Sequence, residues 1–200
     1  FSTALCDRAG RVVAQGLCLP LHLGAIPDAV EHLLDRYGGR IHPGDVFILN
    51  DPSQGGMHLP DIFLFQPIHL DGELIGFAVC VAHYPDIGGR VAGGNAVDST
   101  EIFQEGLQIP AVKLYDRGIR NDALQAMILR NVRVPAAVAG DLAAQRAACR
   151  VGERQYIVLA ERYTPDGLHQ LIDELLNRTE RRVRSELARL PDGQYGFADY

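Results

Sequence analysis

The chain has 200 residues, 47 % hydrophobic and 22 % charged, with a formal net charge of −6 and a pI near 5.6. That much apolar surface offsets chain entropy and excludes a disordered polypeptide. The acidic balance speaks against a nucleic-acid partner, and apolar runs such as Ile75 to Ala82 fall far short of the ~20 residues that cross a bilayer, so no membrane is expected.

The opening FSTALCD reads as a strand already under way, without a basic, then apolar leader before it. Ser2 to Cys6 and Val12 to Gln15 flank the turn Asp7-Arg8-Ala9-Gly10 and form a β-hairpin. Ala29, Val30, Leu33, Leu34 and Tyr37 recur at helical spacing; Pro27 suits the first turn of that helix, and Gly38-Gly39 stops it. Asp45 to Leu49 is a short strand, and NDPSQGGM (50–57) is an irregular turn-rich loop. Strands over Ile62 to His69 and Glu73 to Ala82 enclose Asp71-Gly72; the second is almost wholly apolar and therefore central, covered on both faces. A Gly-rich loop runs from Pro85 to about Asn95. Past Ser99-Thr100 the pattern is mixed, then helical over 122–132, 136–160 and 168–190. The closing GQYGFADY reads as a further strand beginning, so the chain is expected to be a fragment of a longer polypeptide. The fold expected is α+β, a mixed sheet in the N-terminal half (1–118) and long helices in the C-terminal half (119–200).

Cys6, Cys18, Cys80 and Cys149 are scattered, with no C-x-x-C pair; they read as buried free thiols of a reducing, cytoplasmic compartment. Of seven histidines, His32 and His169 fall on helices, His42 precedes a proline in a loop and His69 sits at a strand end. His58 and His83 differ. Each lies at a loop–strand junction and each opens an H-x-x-D, with Asp61 and Asp86. Imidazole nitrogen with carboxylate oxygen suits Zn, Mn or Fe, and three ligands of this kind leave positions open for substrate. On pattern alone either histidine is equally well a hydrogen-bonding structural residue.

The blocks LHLGAIPDAV (21–30), GDVFILNDPSQGGMHLPDI (44–62), AHYPDIGG (82–89), DSTEIFQEGLQIPAVKLYDRG (98–118) and NVRVPAAVAGDLAAQRAACRVG (131–152) resemble the hydantoinase B family of N-methylhydantoinase, 5-oxoprolinase and acetone carboxylase α-like subunits. The resemblance implies a divalent metal on His58, Asp61 and His83. It also implies a further aspartate before the F-S pair, a position ahead of Phe1, and often a second histidine where this chain has Tyr84. It implies a hydantoinase-A-like partner subunit or domain that uses ATP to phosphorylate a cyclic amide or ketone. Attack on that intermediate then opens the ring, or carboxylates it in the acetone carboxylase manner. A non-catalytic structural subunit and a stand-alone metallohydrolase are the competing readings. Beside the ligands, Asn50 and Asp51 are either turn formers or support and substrate contacts near His58. Asp86 is a further ligand, a loop cap or, by preference, the partner of a ligating histidine in the catalytic machinery; Glu101 or Glu105 is a candidate general base. Gly88-Gly89 and Gly93-Gly94 lack a following G-K-[ST] and do not form a phosphate loop, so ATP is assigned to the partner.

Overall fold

The computed structural model describes residues 1–17, 20–94 and 96–199, the side chain of Leu23 apart; Cys18 and the Asn95 end of the Gly-rich loop lie outside the described residues. Seven strands form one antiparallel sheet in the order β2-β1-β5-β4-β3-β6-β7. They are β1 (Ser2–Asp7), β2 (Val12–Gln15), β3 (Val46–Leu49), β4 (Asp61–Leu70), β5 (Glu73–His83), β6 (Val112–Asp116) and β7 (Ile119–Arg120). The helices are α1 (Leu21–Tyr37), α2 (Asp122–Arg130), α3 (Pro135–Tyr163) and α4 (Pro165–Leu187). The architecture is α+β, as expected.

The turns form for local reasons. At β1–β2 the Asp7 carboxylate accepts the backbone N–H groups of Ala9 (3.0 Å) and Arg11 (2.9 Å). At β4–β5 both Asp71 (φ 52°) and Gly72 (φ 87°) are left-handed, the geometry that matches the strand twist in a two-residue hairpin. Pro67, within β4, lacks a donor, but β3 pairs only with residues 63 to 65, so no ladder bond is lost on that side.

Side chains alternate across the sheet. Phe47, Leu49, Phe63, Phe65, Phe77, Val79 and Val81 pack with Ile26, Ala29, Val30 and Leu33 of α1. Ile48, Ile62, Leu64, Ala78, Cys80 and Ala82 pack with Val138, Leu142 and Cys149 of α3. Both faces are thus covered, which is why β5 reads as an almost unbroken apolar run. The 29 residues of α3 rise about 44 Å and back the sheet.

Four expectations are corrected. Helix α1 begins at Leu21, so Pro27 lies inside the helix instead of in its first turn; packing of Ile26 against the sheet outweighs the backbone hydrogen bond that proline removes. The mixed stretch after residue 100 contains β6 and β7, concealed because they are only five and two residues long, too short for a period to show. Helices α2 and α4 stop two and three residues earlier than the periodicity suggests. The closing segment is irregular from Pro191 to Asp199, with no strand begun: its side chains are exposed and nothing in the described sheet pairs with it. Among the described residues, no helix is long and apolar enough to cross a membrane.

Candidate metal centre

Asp61 is the first residue of β4 and His83 the last of β5, and the antiparallel register sets them directly opposite one another. By the alternation of the sheet both point toward the α1 layer. His58 lies three residues before Asp61, and the Asp61 amide bonds back to the His58 carbonyl (3.0 Å), a turn that folds the imidazole over the strand end. His58 Nδ1 is 3.0 Å from Asp61 Oδ2 and His83 Nδ1 is 3.2 Å from Asp61 Oδ1. The two imidazole rings stack at 5.1 Å between centroids. One donor atom from each of His58, Asp61 and His83 lies within 4.8 Å of the others. The Asp61 side chain is 2 % exposed, whereas the His83 side chain is 52 % and the His58 side chain 36 % exposed. The site therefore has a buried anionic floor and an open imidazole rim.

A third imidazole, unremarked in the sequence, reaches the same carboxylate. His22, in the first turn of α1, places Nε2 3.1 Å from Asp61 Oδ2 and Nδ1 2.6 Å from the hydroxyl of Ser2. The signal was available: His22, Ile26, Val30 and Leu33 share one helical face, but Pro27 conceals the first turns of the helix.

The loop between β3 and β4 is locked in place. Asn50 is fully buried; its amide donates to the carbonyls of Leu59 (2.7 Å) and Leu107 (2.9 Å), and its carbonyl oxygen accepts from Ile109 N–H (2.6 Å). It thereby ties the His58–Asp61 turn to the segment before β6. Asp51 caps a single helical turn over Pro52–Gln54 by accepting from the Ser53 backbone (2.9 Å) and hydroxyl (2.8 Å). Gly55 has φ of 90°, and a Cβ there would stand 2.4 Å from the backbone nitrogen of Ala29, so only glycine lets the loop lie on α1.

The other candidates sit elsewhere. Asp86 is buried, but its partners are Arg133, through both guanidinium (2.8 Å) and backbone N–H, and the amide of Gly88 (3.1 Å), not an imidazole. Arg133 also donates to the Gly89 carbonyl (2.6 Å), so this pair organises the Gly-rich loop. Glu101 is exposed at the head of a helical turn over Ile102–Gln104, and Glu105 ends that turn against Gly89; neither belongs to the group of mutually close donors. Tyr84, one residue beyond His83, points to the opposite face: fully buried, it donates to Gln145 Oε1 of α3 (2.6 Å), and burial pushes its hydroxyl pKa up. Gln145 in turn donates to the carbonyls of Ile62 and Cys80 (2.8 and 2.9 Å).

The donor set fits a divalent cation. A buried carboxylate is costly unless paired, and the ionic partners of Asp61 among the described residues are imidazoles, not arginine or lysine. The imidazoles approach different oxygens of the carboxylate, His58 at 3.0 Å from Oδ2 and His83 at 3.2 Å from Oδ1, and one donor atom from each of the three residues lies within 4.8 Å of the others. An α+β domain with a two-histidine, one-carboxylate constellation at adjoining strand ends defines a candidate metal-dependent catalytic domain. The chain matches the hydantoinase B/oxoprolinase family over residues 1–200 and belongs to it. It is 40 % identical over 195 residues to the beta subunit of the caprolactamase of Pseudomonas jessenii, covering 98 % of this chain and 34 % of that one. It is 36 % identical over 207 residues to a protein of Pseudomonas sp. strain NS671 named as the B-type subunit of a D-/L-hydantoinase, covering all of this chain and 35 % of the relative. The crystal structure of the ATP-dependent caprolactamase from Pseudomonas jessenii superposes with a TM-score of 0.91 over 96 % of this chain and 33 % of that one, at 40 % identity. The chain thus spans about a third of the length of these relatives.

Proposed function

We propose that this chain is the metal-bearing part of a catalytic subunit that opens a cyclic amide in an ATP-dependent reaction, with His58, Asp61 and His83 as ligands of a divalent ion. The observation that carries the reading is the convergence of two solvent-facing imidazoles on one buried carboxylate across the β4–β5 register. A divalent ion held there supplies Lewis-acid polarisation of an oxygen. The protein's own part is orientation. Asp61 supplies fixed negative charge from a rigid strand end, and the half-open imidazoles present the rim of the site to an incoming ring.

ATP is used by a hydantoinase-A-like partner subunit, which phosphorylates the amide oxygen before the intermediate reaches this site. The subunit names of the similar proteins support a partner subunit, and the ATP-dependent caprolactamase supports ATP dependence; the hydantoinase-A-like character of the partner and the phosphorylation step come from the family resemblance. The relatives at 36–40 % identity carry caprolactamase and hydantoinase names, which favours ring opening over carboxylation. The test is metal analysis and ATP-dependent turnover of the intact assembly on caprolactam, hydantoin and 5-oxoproline, for the native protein and for His58→Ala, Asp61→Asn and His83→Ala. We expect the native protein to hold a divalent ion and to open at least one ring, and each variant to lose both capacities. A metal-free native assembly with full turnover, or variants that turn over normally, would refute the reading.

A further inference from the structure

We propose that His22, itself held by Ser2, is a positioning residue that fixes the Asp61 carboxylate for metal binding. This inference rests on the reading of His58, Asp61 and His83 as ligands. Ser2, His22 and Asp61 are 2 %, 4 % and 1 % exposed, so three polar side chains lie in line inside the protein. Such groups are retained in a core only when each finds a partner. Hydrogen-bond chemistry sets the direction of the chain. A carboxylate only accepts, so His22 Nε2 carries the proton it shares with Asp61 Oδ2 at 3.1 Å. In the neutral ring Nδ1 then accepts, and the Ser2 hydroxyl at 2.6 Å donates to it. Asp61 therefore fixes the tautomer, and the Ser2 hydroxyl, able to donate or accept, holds it by donating to Nδ1.

The geometry separates this histidine from the other two. His22 lies outside the set of donors that are mutually close, and with 5 % of its side chain exposed it offers nothing to substrate. Its route of action is Asp61. One hydrogen bond on Oδ2 fixes the carboxylate plane and so the direction in which Asp61 faces the two exposed imidazoles. The anchor is distributed over three elements: Ser2 in β1 pairs with Val81, two residues before His83, His22 belongs to α1, and Asp61 begins β4. A ligand held from a second strand and a helix has its orientation set by contacts other than those of the His58 loop.

The test uses the intact protein and three variants, His22→Leu, His22→Gln and Ser2→Ala. Affinity is read by chelator competition with Zn(II) or Mn(II), ligand geometry by the visible absorption of bound Co(II), and folding by thermal melting. For His22→Leu we expect metal affinity to fall by about 10–100-fold and the Co(II) bands to shift. His22→Gln, whose amide N–H reaches the same position as Nε2, restores most of the affinity, and Ser2→Ala gives a smaller loss with a shifted spectrum. A folded His22→Leu protein with native affinity and an unchanged Co(II) spectrum overturns the proposal, as does a Gln variant no better than Leu. Should the Leu variant fail to fold, Ser2→Ala decides: unchanged affinity together with an unchanged spectrum overturns it. A native protein that binds none of these ions overturns the metal reading itself, whereas native binding with indifferent variants removes only the role of His22.

Discussion

Asp61 shows how little of a site is visible in the residue that anchors it. As a letter in H-L-P-D it is one of many aspartates; as a side chain it receives three imidazoles on two oxygens while buried. Other titratable groups are shifted chiefly by burial. The Cys80 thiol is pushed up to about 11 by burial, Cys6 to about 12 by burial with Asp7 adding to it, and Cys149 is raised too. A thiolate is the reactive form, so these three cysteines should stay unlabelled by a thiol reagent at about pH 8 until denaturant is added. Native-state labelling at Cys6, Cys80 or Cys149, located by peptide mapping, would contradict their burial. Glu153, on the inner side of α3, has its carboxyl raised chiefly by desolvation, against the pull of Arg150 and of its hydrogen bond with Gln66. An acid with a raised folded pKa favours the fold while protonated, and this contribution is lost as pH climbs through the folded value. The melting temperature of Glu153→Gln should therefore gain on that of the native protein as the pH is raised from acid to neutral.

At the scale of elements, two contacts hold the site's scaffold in register. Lys113 of β6, the sole lysine in the sequence, lies 2.9 Å from the buried Asp45 that precedes β3 and 2.8 Å from Asp116. Asp45 also accepts the amides of His42 and Arg117, both at 2.8 Å. Lys113→Met removes the counter-charge from an enclosed carboxylate and should cost roughly 3–5 kcal/mol in denaturant unfolding. Removing the exposed Arg184–Glu180 pair of α4 should cost no more than about 0.5 kcal/mol. Gly55 is the second contact. Gly55→Ala combines a left-handed backbone with a clash against α1, and strain of about 1–3 kcal/mol is expected. The His58 side of the site should loosen with it, read as weaker metal binding. Turn residues marked this loop as irregular, yet they held no sign that Gly55 lies on the α1 backbone, because that contact joins segments with no local periodicity in common.

Over the whole molecule, the sheet is a plate clamped between α1 and α3, and the site sits on the α1 side at the joined ends of β4 and β5. An ion bound to the folded state alone stabilises it by mass action, about 2.7 kcal/mol at a hundredfold excess over its dissociation constant. Zn(II) or Mn(II) should thus raise the melting temperature of the native protein, and His58→Ala or His83→Ala should abolish the rise. The β4–β5 hairpin, the doubly covered character of β5, the late helices and the histidine pair worth testing were all legible in the order of residues. The elements depend on dihedral preference or on the period of apolar residues within one segment, and the histidine pair on a short repeated motif, H-x-x-D, at strand ends. Packing in three dimensions was needed to set Asp61 opposite His83, to turn Tyr84 to the other face against Gln145, to pair Asp86 with Arg133 and to stand His22 behind the carboxylate. Those partners are 22, 61, 47 and 39 residues apart. Contacts of that separation are set by strand register and by which helix covers which face, and no local pattern encodes either.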